Sequence, residues 1–243
     1  MTEADFAGAS KGQTRPERTD VPDTALSGAH GRAERTSADA VIAHAYDGRA
    51  GEYVRIAGSV EQMDARDVAL IRRWRDATPG RLLDAGCGPG HWTDLLDDGH
   101  RDASGVDISE AFLDAARSRY PHLTFSNASL RGLPVADATL GGILAWYSLI
   151  HTDPADVPAV LVEFARVLAP GGSLLLGFFV GEPREPFAHA VTTAYFWSAD
   201  ALEELLTDAG FEVVFRERRE RETVEISARP HGALVALRRS PQG

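Results

Sequence analysis

Residues 82–92, LLDAGCGPGHW, combine two apolar residues, an acid and three glycines at alternate positions. Because Gly86, Gly88 and Gly90 lack a Cβ, the main chain can turn tightly there and bring its N–H groups close to a ligand. The apolar residues before the glycines predict a buried strand, and residues 92–97 predict a helix after them. The stretch therefore predicts a strand–turn–helix unit with a ligand held against the turn.

Strand and helix patterns alternate along the rest of the chain. Apolar runs predict strands at 81–84, 105–107, 123–128, 141–148, 173–180, 211–220 and 231–239. Helical spacing predicts helices at 64–75, 92–97, 110–120, 157–168 and 199–210. The last two strands have no helix between them and should pair antiparallel. The predicted fold class is α/β, a doubly wound, mostly parallel, seven-stranded Rossmann-like sheet with an antiparallel last strand.

Composition limits the domain organisation and the partners. Residues 1–39 hold few large apolar side chains, which predicts a disordered tail ahead of a domain over 40–240. The formal charge of −11 repels phosphate backbones, so nucleic acid is not an expected partner. No apolar run approaches the ~18 residues of a membrane span. Cys87, the single cysteine, suits a reducing compartment. We therefore expect a cytoplasmic monomer or homodimer, without metal or membrane contacts.

The acids around the glycine turn indicate the chemistry of the ligand. Asp84 lies two residues before the first glycine, where a carboxylate suits a cationic or amino group better than a pyrophosphate. Asp107 ends the second strand, from which a carboxylate can accept hydrogen bonds from ribose hydroxyls. The two acids together predict a ligand with a ribose, a positively charged or amino part and no bridging phosphate.

An ordered series of motifs extends this pattern over residues 42 to 238. The series is AYDGRAGEY at 45–53, LLDAGCGPG at 82–90, GVDIS at 105–109, NASLRGLPVADATLGGILAWYSLIH at 127–151 and EFARVLAPGGSLLLGFF at 163–179. In this series the sequence resembles the class I S-adenosylmethionine-dependent methyltransferases, especially their small-molecule branch. The resemblance implies S-adenosyl-L-methionine as cofactor and in-line transfer of its methyl group to a small-molecule acceptor.

The resemblance also implies which residues contact the cofactor. Asp84 and the glycine turn would hold its methionine part, Asp107 its ribose, and Ile108, Asn127 and the Ala128 N–H its adenine. The full set of expected cofactor contacts is Tyr53, Asp84, Gly86, Cys87, Gly88, Asp107, Ile108, Asn127, Ala128, Ala145 and Trp146. His151 is the candidate general base, with Tyr46 as a second catalytic candidate. The irregular, aromatic stretch 181–197 is the expected substrate wall.

Other interpretations of the same residues remain open. Gly141 and Asn127 stand where the family commonly has acids, which leaves a cofactor-binding module without turnover as a second hypothesis. A glycine-rich turn followed by an acid also occurs in NAD-dependent oxidoreductases, which is a third. His151, Tyr46 and Tyr53 are also compatible with ordinary packing.

Overall fold

The computed structural model describes residues 37–99, 101–220 and 229–240. Within these ranges the helices are α1 (Ser37–Asp47), α2 (Ala50–Ala57), α3 (Ala65–Ala77), α4 (His91–Leu96), α5 (Glu110–Arg119), α6 (Val157–Val167) and α7 (Ala199–Asp208), with a short 3-10 helix at Val60–Gln62. The strands are β1 (Leu82–Ala85), β2 (Ala103–Asp107), β3 (Thr124–Asn127), β4 (Leu140–Trp146), β5 (Leu168–Phe179), β6 (Pro186–Ala188), β7 (Thr193–Tyr195), β8 (Phe211–Arg219) and β9 (His231–Arg238).

Seven of these strands form one sheet in the order β3-β2-β1-β4-β5-β9-β8. The first five are parallel, whereas β9 runs antiparallel to both β5 and β8. The predicted α/β class and the antiparallel last strand are confirmed. β9 inserts between β5 and β8, so β8 is the edge strand, and its exposed arginines and glutamates discourage pairing with another chain. The strand order reverses between β1 and β4, which opens a crevice at their carboxyl ends.

Both faces of the sheet are covered, as a parallel sheet requires. Leu82 and Leu83 are neighbours on β1 and point to opposite faces. Leu83 joins the core that α6 and α7 complete, and Leu82 joins the core that α3 and α4 complete. α5 packs on β2 and β3 around Phe125. The continuous apolar runs in the sequence thus correspond to strands buried on both sides.

Two local features differ from the sequence-based expectations, and the structure explains a third. Residues 1–36 of the expected tail lie outside the described residues, while α1 begins at Ser37, three residues before the expected start of the domain. The stretch 181–197 contains a short hairpin, β6–β7, in place of irregular chain. Gly141 has a packing reason: a Cβ there would lie 1.7 Å from the carbonyl oxygen of Pro79, so the position accepts no side chain.

Candidate functional site

The glycine turn forms one wall of a cavity of about 800 Å³ at the carboxyl ends of β1 and β4. Gly86 and Gly88 have φ values of 84° and 52°, in the left-handed region that favours glycine. A Cβ at Gly86 would meet the Cβ of Ser148 at 2.3 Å, so this glycine is needed for packing. A Cβ at Gly88 would meet no protein atom within 4 Å. Gly88 is therefore the glycine of the pair that faces open ligand space.

The carboxylate of Asp107 lines the same cavity and is held rigidly from two sides. Its Oδ2 accepts a hydrogen bond from the Gly88 N–H at 2.8 Å, and its Oδ1 accepts one from the Ser109 N–H at 2.8 Å. Burial raises the pKa of Asp107, and these N–H donors oppose that shift. Each carboxylate oxygen can accept a further hydrogen bond. The arrangement suits a ligand with neighbouring hydroxyl groups.

Asp84 lies behind the turn and is not among the residues that line the cavity. Its Oδ2 accepts a hydrogen bond from the Thr93 hydroxyl at 2.7 Å. Burial, with a smaller contribution from the Asp107 carboxyl, raises the pKa of Asp84 to about 7. Asp84 thus links β1 to α4 and supports the turn from inside the fold. The contact with the methionine part of the cofactor that the resemblance implies for Asp84 stays a prediction.

Of the residues predicted to contact the adenine, some line the cavity and others do not. Ile108 and Ala128 line the cavity, but the Ala128 N–H donates to the Asp107 carbonyl at 3.0 Å, so a ligand nitrogen would have to compete for it. Asn127 lies outside the lining, with its Nδ2 donating to the Ile108 carbonyl at 3.2 Å and to Glu110 Oε2 at 2.9 Å. Ala145 is fully buried behind the cavity wall. The other predicted contacts that line the cavity are Tyr53, Cys87 and Trp146.

Tyr46 and His151 form a hydrogen-bonded pair in the cavity. His151 Nδ1 lies 2.8 Å from the Thr193 carbonyl, which can only accept, so Nδ1 carries the proton. His151 Nε2 therefore accepts from the Tyr46 hydroxyl at 2.8 Å. Burial lowers the pKa of His151 and raises that of Tyr46. The pair therefore holds a neutral imidazole whose Nε2 can take a proton.

Two polar side chains that the sequence analysis missed also line the cavity. His91 is 3% exposed, and neither ring nitrogen has a hydrogen-bond partner among the described residues. Burial, with the nearby Arg119 charge, lowers the pKa of His91 to about 4, so the ring is neutral at pH 7. Ser148 Oγ is buried and similarly unpartnered. Buried polar atoms without partners are rare, and these flank the glycine turn on two sides. The place of His91, directly after the third glycine, was the one sequence signal for it.

The first helix is anchored over the cavity by a charged cluster that was also missed. Asp39 of α1 is 4% exposed, accepts a hydrogen bond from the Ser129 hydroxyl at 2.7 Å and pairs with the Arg131 guanidinium. Asp47, at the end of the same helix, accepts from the Ser109 hydroxyl at 2.6 Å. These contacts keep α1 across the entrance and hold Tyr46 in the cavity.

Fold and cavity together define a Rossmann-like protein with a large cavity at the switch point of its sheet. Residues 82–172 match a protein-family model described as a methyltransferase domain. A probable S-adenosylmethionine-dependent methyltransferase from Mycolicibacterium smegmatis is 35% identical over 157 residues, which are 61% of this chain and 58% of that protein. An O-methyltransferase from Pyrenophora dematioidea is 31% identical over 159 residues, 60% of this chain and 59% of that protein. The chain is thus similar to S-adenosylmethionine-dependent methyltransferases over its central part, and residues 82–172 match the methyltransferase domain itself.

Solved structures share the fold at lower identity. A 1,6-didemethyltoxoflavin-N1-methyltransferase from Burkholderia thailandensis, with S-adenosylhomocysteine bound, superposes with a TM-score of 0.65 at 23% identity over 84% of this chain and 92% of that one. The [4+2]-cyclase SpnF superposes with a TM-score of 0.68 at 20% identity over 82% and 95%. The chain spans less than three fifths of the length of the two curated relatives above.

The residues of the cavity are chemically compatible with S-adenosylmethionine, the cofactor of these similar proteins. The carboxylate of Asp107 is fixed by main-chain N–H groups and could accept hydrogen bonds from vicinal hydroxyls, and Gly88 leaves room beside it. His91 and Ser148 offer unpartnered polar atoms for a zwitterionic amino-acid group. Among the described residues, no group of three or more His, Cys, Asp or Glu side chains is arranged to hold a metal ion.

Proposed function

We propose that this protein is an enzyme that transfers the methyl group of S-adenosylmethionine to a small-molecule acceptor by in-line displacement. One observation carries the proposal: the open glycine Gly88 and the fixed carboxylate of Asp107 line the same cavity as the hydrogen-bonded Tyr46–His151 pair. A cofactor bound at Gly88 and Asp107 can therefore share the enclosed space with an acceptor beside Tyr46 and His151. The match of residues 82–172 to a methyltransferase domain and the similarity to S-adenosylmethionine-dependent methyltransferases support the same reaction class.

When bound, the cofactor supplies a methyl group already activated by a sulfonium, so the protein has little covalent chemistry to perform. Asp107 would hold the ribose hydroxyls, Gly88 would admit the main chain close to the ligand, and Ile108 would pack on the base. His91 and Ser148 would bind the amino-acid end. Fixing two reactants in this way can contribute roughly 7–11 kcal/mol to lowering a barrier.

The N-terminal helices would exclude water from the two reactants. Tyr46 of α1 and Tyr53 of α2 both pack on Phe112, with ring centroids at 5.4 and 5.2 Å. Burial and the Asp107 charge raise the pKa of Tyr53, which keeps its hydroxyl protonated at neutral pH. The two rings thus form an apolar cover whose hydroxyl groups can still orient an acceptor.

His151 would accept the proton of an acceptor that is protonated at working pH. Its Nδ1 proton is held by the Thr193 carbonyl, so the incoming proton goes to Nε2. Because Tyr46 donates to that nitrogen, the acceptor proton can pass to the Tyr46 oxygen while the tyrosine proton passes to His151. The hydroxyl thus relays the proton and returns to its starting state.

Isotope transfer tests the reaction directly. The protein is incubated with metabolite extract and S-adenosylmethionine carrying a labelled methyl group, and products are followed by mass spectrometry. We expect a labelled small molecule that disappears with the Asp107→Ala variant. Failure to bind the cofactor in calorimetry, or binding that Asp107→Ala leaves unchanged, would contradict the proposal.

A second candidate is cofactor binding without methyl transfer. A protein described as a [4+2]-cyclase has a similar fold, and a fold alone does not decide the reaction. This similarity supports cofactor binding without methyl transfer as an alternative function. The same incubation distinguishes the two: tight cofactor binding together with no labelled product from any extract fraction favours the second candidate.

We also propose a cytoplasmic monomer or homodimer that does not act on nucleic acid. The formal charge of −11 and the single cysteine support this proposal. Among the described residues, no helix is both long and apolar enough to cross a membrane. Light scattering and a nucleic-acid gel-shift assay test these points.

A further inference from the structure

Part of the cavity lies beside the Tyr46–His151 pair and has no cofactor contact assigned to it. We call this part the acceptor half, and its lining includes Tyr147, Ile150, Phe179, His189 and Val191. These side chains come from the segment after β4, the end of β5 and the β6–β7 hairpin. The shape and polarity of the acceptor half should therefore reflect the methyl acceptor rather than the cofactor.

Ring contacts connect the acceptor half to the candidate base. The His189 ring lies 5.1 Å from the His151 ring and 6.1 Å from the Phe179 ring, measured between ring centres. The Phe179 ring lies 4.7 Å from that of Tyr147. Because these rings are contiguous, a ligand that packs along them would have one edge at His151.

Tyr147 is fixed in place at its backbone and at its hydroxyl group. Its φ of 58° lies in the left-handed region, which is uncommon for a bulky residue and persists only where the surrounding structure holds it. Its N–H donates to the Gly177 carbonyl at 3.0 Å, and its hydroxyl is hydrogen-bonded to His231 Nδ1. Backbone strain of this kind is concentrated at active sites and ligand clamps, which favours a functional role for the Tyr147 ring.

His231, the partner of the Tyr147 hydroxyl, is itself held inside the fold. It is fully buried, and its Nε2 lies 3.7 Å from Glu217 Oε1. Glu217 Oε1 accepts a hydrogen bond from Arg219 Nη1 at 2.7 Å. The nearby carboxylate favours the tautomer with its proton on Nε2, so Nδ1 accepts from the Tyr147 hydroxyl. Residues of β8 and β9 thus fix the Tyr147 ring, which loses little freedom when a ligand packs on it.

Phe179 extends Tyr147 into a preformed aromatic wall. The planes of these two rings are tilted by 41°, and Phe179 meets Phe187 edge-on at 5.6 Å between ring centres. Phe187 in turn stacks on Phe196 at 4.2 Å. Aromatic rings attract one another beyond the effect of area burial, because ring faces and ring edges carry opposite partial charges. The wall therefore favours a planar aromatic ligand over a saturated ligand of similar size.

The polar atoms beside this wall suit a neutral ligand that donates a hydrogen bond. The Tyr46 hydroxyl gives its proton to His151 Nε2, so its oxygen has only lone pairs to offer a ligand. His189 Nδ1 is buried without a hydrogen-bond partner among the described residues, and a second polar atom of the ligand would satisfy it. Burial lowers the pKa of both His151 and His189, so neither ring is charged at pH 7.

We propose that the methyl acceptor is a flat aromatic molecule with a hydroxyl or N–H group, which packs along Tyr147 and Phe179 and donates a hydrogen bond to the Tyr46 oxygen. The reacting oxygen or nitrogen exchanges its proton, which passes through Tyr46 to His151, for the methyl group. The inference rests on the proposed methyl transfer, because it takes the acceptor half as the acceptor site. It adds the substrate class and assigns Tyr147 and Phe179 as acceptor-binding residues.

Three neutral probes of the same carbon skeleton test this inference. Beta-naphthol is flat and has one hydroxyl group, its fully hydrogenated analogue beta-decalol keeps the hydroxyl but is neither flat nor aromatic, and beta-naphthyl methyl ether is flat but lacks the hydroxyl proton. Ligand-observed NMR or calorimetry measures the affinity of each probe for the complex with S-adenosylhomocysteine. The proteins are the wild type, Tyr147→Leu and Tyr120→Leu. Tyr120 directly follows α5 and lies outside the cavity lining, so its variant removes the same ring elsewhere.

We expect beta-naphthol to bind the wild type at least about tenfold more tightly than beta-decalol, because contacts with two aromatic rings add to the burial of area. The methyl ether should bind less tightly than beta-naphthol, because it cannot donate to the Tyr46 oxygen. Tyr147→Leu should remove most of the preference for beta-naphthol over beta-decalol, and Tyr120→Leu should retain it.

Several results would overturn the inference. They are equal affinities of beta-naphthol and beta-decalol, equal affinities of beta-naphthol and its methyl ether, no measurable binding of beta-naphthol, and a preference that survives Tyr147→Leu. In each case normal binding of S-adenosylhomocysteine leaves the proposed function intact. If Tyr147→Leu does not bind S-adenosylhomocysteine, Phe179→Leu takes its place with the same expectation. If the wild type does not bind S-adenosylhomocysteine, both proposals fall.

Discussion

The two glycines of the turn allow a sharp test, because the structure assigns them different roles. Gly86→Ala places a Cβ 2.3 Å from that of Ser148 and puts alanine at a φ of 84°. The left-handed conformation costs roughly 1–2 kcal/mol and overpacking roughly 1–3 kcal/mol more, so unfolding becomes easier by about 2–5 kcal/mol. Gly88→Ala meets no protein atom within 4 Å, so only the conformational cost of roughly 1–2 kcal/mol applies.

Binding should follow the opposite order from stability. The Cβ added at Gly88 enters the space beside Asp107, so we expect the affinity for S-adenosylhomocysteine to fall about tenfold or more. Gly171→Ala is the matched control: Gly171 has a φ of 76°, has open space around its Cβ position and lies outside the cavity. It should lose a similar amount of stability without any loss of affinity.

Urea unfolding measures the first quantity and isothermal titration calorimetry the second. The reasoning is refuted if Gly88→Ala binds S-adenosylhomocysteine as tightly as Gly171→Ala does. It is also refuted if Gly86→Ala is no less stable than Gly88→Ala, because the packing role of Gly86 would then be absent.

Three further variants test individual side chains. Asp107→Asn replaces one of the two carboxylate oxygens that accept main-chain N–H groups by an NH2 donor. The affinity for S-adenosylhomocysteine, measured by calorimetry, should therefore fall about tenfold. An unchanged affinity would exclude the ribose role of Asp107. His91 should make the fold acid-sensitive: its pKa is about 4 in the native state against 6.5 unfolded, so only the unfolded state gains the proton between these pH values. The wild type should therefore lose about 3 kcal/mol more than His91→Phe as the pH falls through this window, measured by urea unfolding, and parallel pH profiles would count against a buried neutral ring. Because burial lowers the pKa of His151, turnover that needs the neutral ring should rise with pH below its ordinary value of 6.5 and then level off. His151→Gln should lose that limb and most of kcat while retaining cofactor affinity, and a variant with full kcat would rule out His151 as the base.

Local sequence patterns determined the architecture of this protein to a large extent. Apolar runs predicted the seven strands of the main sheet and helical spacing predicted the helices that cover it, because burial requires apolar side chains at the positions that face each core. The glycine turn and Asp107 were predictable, because the turn directly follows β1 and Asp107 ends β2, and parallel strands bring their carboxyl ends to one edge. The β6–β7 hairpin was not predictable from the sequence, because its strands are only three residues long and show no clear alternation of apolar and polar residues.

Contacts between distant parts of the chain decided the details of the candidate site, and no local sequence pattern predicts such contacts. Only the tertiary structure separates Gly88, which faces ligand space, from Gly86, which Ser148 packs against from 62 residues away. Likewise, Asp84 turns from the cavity toward Thr93, and the Thr193 carbonyl selects the tautomer of His151. The sequence by itself determined which residue types surround the cavity, whereas side-chain packing across the sheet determined which atoms of those residues are exposed to a ligand.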